Sequence, residues 1–123
     1  MAKKLIVVAD DQPGVRRILA EVLSKDKYEL MEAASGEEVI EIMQERRVDL
    51  VFLDVKMPRL DGVTALKKIV AQPKHPPVVM MTAQGQADLR QRVMSMGASA
   101  YLEKPFDMDA VLQLLEELTD ELT

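Results

Sequence analysis

The sequence predicts an α/β fold in which one parallel sheet is covered by helices on both faces. Three observations lead there. Short, continuous apolar runs recur along the chain, as expected of strands buried on both sides. Each run is followed by a stretch with apolar residues at helical spacing. The two patterns alternate strictly, which implies crossover connections and hence parallel strands.

The first run is LIVVA, Leu5 to Ala9. Behind it Val15, Ile18, Leu19, Val22 and Leu23 form one stripe of a helix, and Pro13 stands where its first turn tolerates proline. YELMEA, Tyr28 to Ala33, alternates instead and reads as a half-exposed edge strand. Ser35 with Glu38 makes a capping box that opens a helix running to about Arg46, with Val39, Ile40 and Met43 inside. LVFL, from Leu50, is a third strand, and Gly62 opens a helix carrying Val63, Leu66, Ile69 and Val70. VVMM, Val78 to Met81, precedes a helix marked by Leu89, Val93 and Met96. SAYLE, Ser99 to Glu103, is the last strand, and Asp107 caps a helix with Val111, Leu114, Leu115 and Leu118.

Composition sets the outer limits. The 123 residues suffice for one domain with a real core, so residues 1–123 are expected to form a single unit. There is no cysteine, which excludes disulfides, thiolate chemistry and cysteine-ligated zinc. A net charge of −5 argues against nucleic acid or an anionic membrane as partner. No apolar run is long enough for a signal peptide or a membrane span, so a cytoplasmic location is expected. Nine methionines and no tryptophan suggest that methionine fills gaps in the core.

In sheets of this kind ligands bind beyond the carboxyl ends of the strands. The residues delivered there are Asp10 and Asp11, Asp54, Thr82 and Lys104. Three converging carboxylates repel one another, a conflict that a hard divalent cation such as Mg²⁺ removes. Lys104 and Thr82 offer a point charge and a hydroxyl to a phosphoryl group, and Asp54 is the candidate nucleophile for an aspartyl phosphate. Asp61 reads as a helix-capping acid. His75, in the loop QPKHPP with no acid beside it, reads as an inert loop histidine.

VADDQ, LDVKMPRLDG, MMTA and GASAYLEKPF together resemble the receiver domains of two-component response regulators, in order and spacing and over essentially the whole chain. The resemblance implies a flavodoxin-like (βα)5 fold with strand order 2-1-3-4-5. It implies that Asp54 takes a phosphoryl group from the histidine of a sensor kinase. Asp10 and Asp11 would hold Mg²⁺ beside Asp54, with the backbone carbonyl of Lys56. Thr82 and Lys104 would contact the phosphoryl oxygens, and Tyr101 would report the phosphorylated state. DDQPGVRRIL and KPFDMD extend the likeness to single-domain regulators of the sporulation phosphorelay, although Tyr101 stands where that subfamily carries a histidine and Ala9 where it carries a larger aliphatic residue. The partners so implied are a sensor histidine kinase and a downstream phosphotransferase, met by a monomer. They would dock on Val15, Arg16 and Ile18 of the first helix and on Pro105 and Phe106.

Lys56 and Gln84 would flank the approach of water to the phosphoryl group, with Lys56 shielding it. A dehalogenase-like phosphatase would need a second acid where Lys56 stands, so a phosphotransfer intermediate is expected rather than a hydrolase with turnover. The alternatives are the receiver of a larger or chemotaxis-type regulator, and a pseudo-receiver that binds proteins without taking phosphate.

Overall fold

The computed structural model describes residues 3–10, 13–23, 27–55, 62–83, 87–104 and 108–119, with the side chains of 13–16, 22, 83 and 87 also left out. Among them lie five strands and five helices in alternation: β1 Lys4–Ala9, α1 Pro13–Val22, β2 Tyr28–Ala33, α2 Gly36–Glu45, β3 Leu50–Asp54, α3 Gly62–Val70, β4 Val78–Ala83, α4 Ala87–Ser95, β5 Ala100–Lys104 and α5 Met108–Thr119. The strands form one parallel sheet in the order β2-β1-β3-β4-β5. This is the predicted flavodoxin-like arrangement.

Strand alternation sorts the core into two layers. Ile6, Val8, Leu50, Phe52, Val79, Met81 and Leu102 pack with Leu19 and Leu23 of α1 and Val111 and Leu115 of α5. Leu5, Val7, Val51, Leu53, Val78 and Met80 face α2, α3 and α4 through Val39, Leu66, Ile69 and Val93. Right-handed crossovers demand this division. The step from β1 to β2 runs one way along the sheet and the later steps run the other way, so α1 and α2 fall on opposite faces. The reversal opens a crevice between the ends of β1 and β3.

Local chemistry fixes the ends of the elements. Ser35 caps α2 by accepting from the Glu38 amide at 3.3 Å, and the Glu38 carboxylate accepts from the Ala34 amide at 2.8 Å. The α4 terminus closes on Gly97 at φ 114°, with the Ala98 amide on the Val93 carbonyl and the Gly97 amide on that of Met94. Gly62 is required by close approach: a Cβ there would lie 2.7 Å from the Val55 Cα and collide with the Asp54 carbonyl.

Three expectations are corrected. β4 continues past Met81 to Ala83, because Thr82 and Ala83 still pair with Glu103 and Lys104 of β5. Ile18 leaves the predicted stripe and is 42% exposed, the outward position that its expected docking role needs, while Leu19 and Leu23 cover the sheet on that side. The methionines divide: Met80 and Met81 are buried in the sheet, while Met94 and Met108 are exposed on α4 and α5. The edge strand β2 is half-exposed as predicted.

Candidate functional site

Asp10 and Asp54 end up side by side because β1 and β3 are neighbours in register, with Ala9 opposite Leu53. Both follow the alternation of the α1/α5 face, where Ile6 and Val8 precede Asp10 and Leu50 and Phe52 precede Asp54. Lys104 follows Leu102 on the same face of β5. Each acid is therefore the polar continuation of a buried apolar row. The backbone holds them there: the Asp10 amide donates to the Ala33 carbonyl at 3.3 Å, and the Val55 amide to that of Met81 at 2.9 Å.

Lys104 crosses to both acids. Its Nζ donates to Asp10 Oδ2 at 2.8 Å and to Asp54 Oδ2 at 3.2 Å. The Asp10 side chain is fully buried and that of Asp54 is 9% exposed. Burying a carboxylate costs several kcal/mol, and one ammonium between two acids offsets only part of it. Burial by itself would lower the Lys104 pKa. The hydrogen bond that Lys104 donates to Asp10 and the charges of Asp54 and Asp10 outweigh that and hold it above the ordinary 10.5.

Thr82 arrives from the other face of the sheet. It is buried at the end of β4, and its hydroxyl comes near enough to the phenol of Tyr101 to favour the ionised form. Tyr101 pairs with Met80 in the register of β4 and β5 and packs on the α2/α3/α4 core layer. Burial foremost, and the charge of Glu103, raise the Tyr101 pKa against the opposing effects of Thr82 and Arg90, so the ring is a neutral phenol at pH 7. The Arg90 guanidinium lies over the ring, 5.9 Å from its centroid.

Four of the predicted residues, Asp10, Asp54, Thr82 and Lys104, thus gather at the carboxyl ends of adjacent strands, with Tyr101 joined to Thr82. Asp11, Lys56, Asp61, Gln84, Pro105, Phe106 and the cap Asp107 lie outside the described residues, as do the side chains of Val15 and Arg16. His75 is exposed, its Nδ1 3.0 Å from the Pro76 carbonyl. Among the described residues no group of three His, Cys, Asp or Glu could hold a metal. The two described acids nevertheless suit a hard cation: both offer oxygen donors, and with Lys104 they carry a net charge of −1. Two contacts had no signal in the sequence. Arg90 over Tyr101 depends on where α4 packs against β5. The Asp49 carboxylate, which accepts from the Leu5 amide at 2.7 Å, depends on the turn before β3.

A doubly wound parallel sheet with paired aspartates at its switch point, bridged by a lysine and flanked by a hydroxyl, defines an α/β domain with its polar groups gathered in the crevice where such sheets bind ligands. A model of the response regulator receiver domain matches residues 6–116, and the chain belongs to that family. It is 38% identical over 111 residues to the sporulation initiation phosphotransferase F of Bacillus subtilis, covering 90% of each chain. It is 40% identical to the transcriptional regulatory protein PdtaR of Mycobacterium tuberculosis, where it spans 90% of this chain and 54% of that relative. Among solved structures, the receiver domain of sensor histidine kinase PA1611 from Pseudomonas aeruginosa matches at a TM-score of 0.85 and 25% identity, covering 97% of this chain and 99% of that one. That structure has a magnesium ion coordinated in its active site cleft.

Proposed function

We propose that this receiver domain, spanning residues 1–123, accepts a phosphoryl group on Asp54 from the phosphohistidine of a sensor kinase and passes it to a downstream phosphotransferase. The observation that carries this reading is the Asp54 carboxylate, nearly buried, held by the Lys104 ammonium beside Asp10. A buried carboxylate hydrogen-bonded to a cation at the rim of a parallel sheet is a candidate nucleophile.

An Asp54 oxygen attacks phosphorus as the P–N bond to the donor imidazole breaks, and the electron pair of that bond leaves with the nitrogen. Lys104 stands where it can turn from Asp54 to the phosphoryl oxygens, and the Thr82 hydroxyl can donate to another. Asp10 and Asp54, with Asp11 and the Lys56 carbonyl, would hold Mg²⁺. When bound, the ion supplies neutralising charge and a ligand position for phosphoryl oxygens. Turning the Thr82 hydroxyl toward the phosphoryl group would move it relative to the Tyr101 phenol, which couples the site to β5 and α4.

The likeness to the sporulation phosphotransferase, over nearly the full length of both chains, favours a role as a relay intermediate in such a pathway. A second reading, the receiver part of a larger regulator, has its support in PdtaR, of which the chain spans about half. The membrane plays no part in either reading, and among the described residues no helix is long and apolar enough to cross one. The test is intact-mass spectrometry after incubation with acetyl phosphate. One added phosphoryl group is expected with Mg²⁺, and none with EDTA or in Asp54→Ala. Equal labelling of Asp54→Ala overturns the assignment.

A further inference from the structure

The reading above leaves Arg90 without a role. It stands on the first turns of α4, on the outer side of Tyr101, and its guanidinium sits 5.9 Å from the centre of the ring. A guanidinium within about 6 Å of an aromatic face is attracted by the ring's quadrupole. The same ring meets Thr82 at its phenol end, since β4 and β5 pair Met80 with Tyr101 and Thr82 follows on that face of β4. Two contacts of different kinds thus grip one side chain, one from β4 and one from α4.

The two grips respond differently to phosphorylation. Turning the Thr82 hydroxyl toward a phosphoryl oxygen carries it away from the phenol, so the Thr82 grip competes with the chemistry at Asp54. The Arg90 grip has no atom in common with the phosphoryl site and persists when Thr82 turns away. We propose that Arg90 is a positioning residue that holds Tyr101 in the arrangement phosphorylation must undo, and so sets how far the switch is thrown by a phosphoryl group on Asp54. The inference rests on the phosphorylation reading and on the coupling of Thr82 to Tyr101.

The chemistry of the pair gives direction and size. An equilibrium between held and released Tyr101 shifts by the contact free energy that differs between the two states. A cation over an aromatic face at a partly exposed site corresponds to about a two- to five-fold change in the population ratio. Arg90→Gln keeps a polar side chain of similar reach and removes the charge. Arg90→Lys keeps the charge without the planar group that stacks on the ring. Removal of Arg90 favours release, so both the response at Thr82 and the capture of phosphate become easier.

The experiment measures the Thr82 amide shift by NMR, with and without beryllofluoride, in wild type, Arg90→Gln and Arg90→Lys. Thr82 is the reporter because loss of a charge beside Tyr101 perturbs the ring's own resonances directly. The wild-type amide is expected to move on addition of beryllofluoride. Without it, the Arg90→Gln amide is expected part-way along that same displacement, with Arg90→Lys between. Labelling by acetyl phosphate is expected to rise about two- to five-fold in Arg90→Gln, in step with the population ratio. A merely structural role would lower the melting temperature and leave the amide on its wild-type position. If wild type responds to beryllofluoride while Arg90→Gln matches it in shift and labelling rate, the role of Arg90 is overturned and the phosphorylation reading stands. If the wild-type Thr82 amide does not move at all, the coupling on which the proposal rests fails, and the proposal with it.

Discussion

Two ion pairs at opposite ends of the sheet look alike in distance and differ in everything else. Arg46, at the end of α2, meets Glu29 of β2 through two hydrogen bonds, 2.7 and 2.8 Å long, in the forked geometry of a strong guanidinium–carboxylate pair. Lys104 meets Asp10 at 2.8 Å and Asp54 at 3.2 Å with a single ammonium. By length and count the Arg46 pair is the better made. Its partners, however, are 44% and 45% exposed, whereas the Asp10 side chain is fully buried. Water screens the first pair and leaves it little to contribute. The second stands where water cannot replace a lost partner, and there the surplus acid charge has consequences. Burial, not bond length, separates an ion pair that water can replace from one that it cannot.

The rim depends on backbone shape as well as charge, and there the largest effect is expected. Gly62→Ala puts a methyl group against the Asp54 carbonyl and Val55 Cα, so it is expected to destabilise the fold by about 3 kcal/mol in urea unfolding and to displace Asp54. A variant as stable as wild type would show that the start of α3 yields freely.

Lys104→Met leaves two buried carboxylates facing each other. A loss of about 1–3 kcal/mol is expected in the same measurement, partly restored by Mg²⁺. Unchanged stability would place the bridge in the class of the Arg46 pair.

The pH dependence sharpens the contrast. The Lys104 ammonium is held above 10.5, so its stabilisation is complete below that pH and is lost as pH rises through the higher folded value. Above about pH 10.5 the melting temperature should therefore fall more steeply for wild type than for Lys104→Met. Parallel curves would remove the bridge as a source of stability.

The smallest effect belongs to Arg46→Ala. No change in the melting temperature is expected beyond measurement error, and added salt should erase any residue of it. A loss equal to that of Lys104→Met would end the distinction drawn from burial.

Much of this was legible from the chain alone. The alternation of buried runs and helical stripes gave every strand and helix in order, and the capping pair Ser35 and Glu38 gave a helix start to the residue. Reading the residue after each run gave Asp10, Asp54, Thr82 and Lys104 as a group, because in a parallel sheet all strand ends of one sense share one rim. What failed was finer. Ile18 has the spacing of a core residue and lies outside it, since periodicity marks a face without saying how wide the neighbouring sheet is. Met94 and Met108 are expected as gap-fillers from composition and are exposed, since a residue count does not say which side of a helix a residue takes.

The order of the elements, the buried rows and the identity of the acids were determined by the sequence, because local sterics and hydrophobic periodicity act over a few residues. The bridge from Lys104 to Asp10 spans 94 positions, and the approach of Thr82 to the Tyr101 phenol and the guanidinium of Arg90 over that ring join separate elements. Only the tertiary structure decided these, because register, crossover hand and helix packing set which side chains meet. No local pattern carries that information.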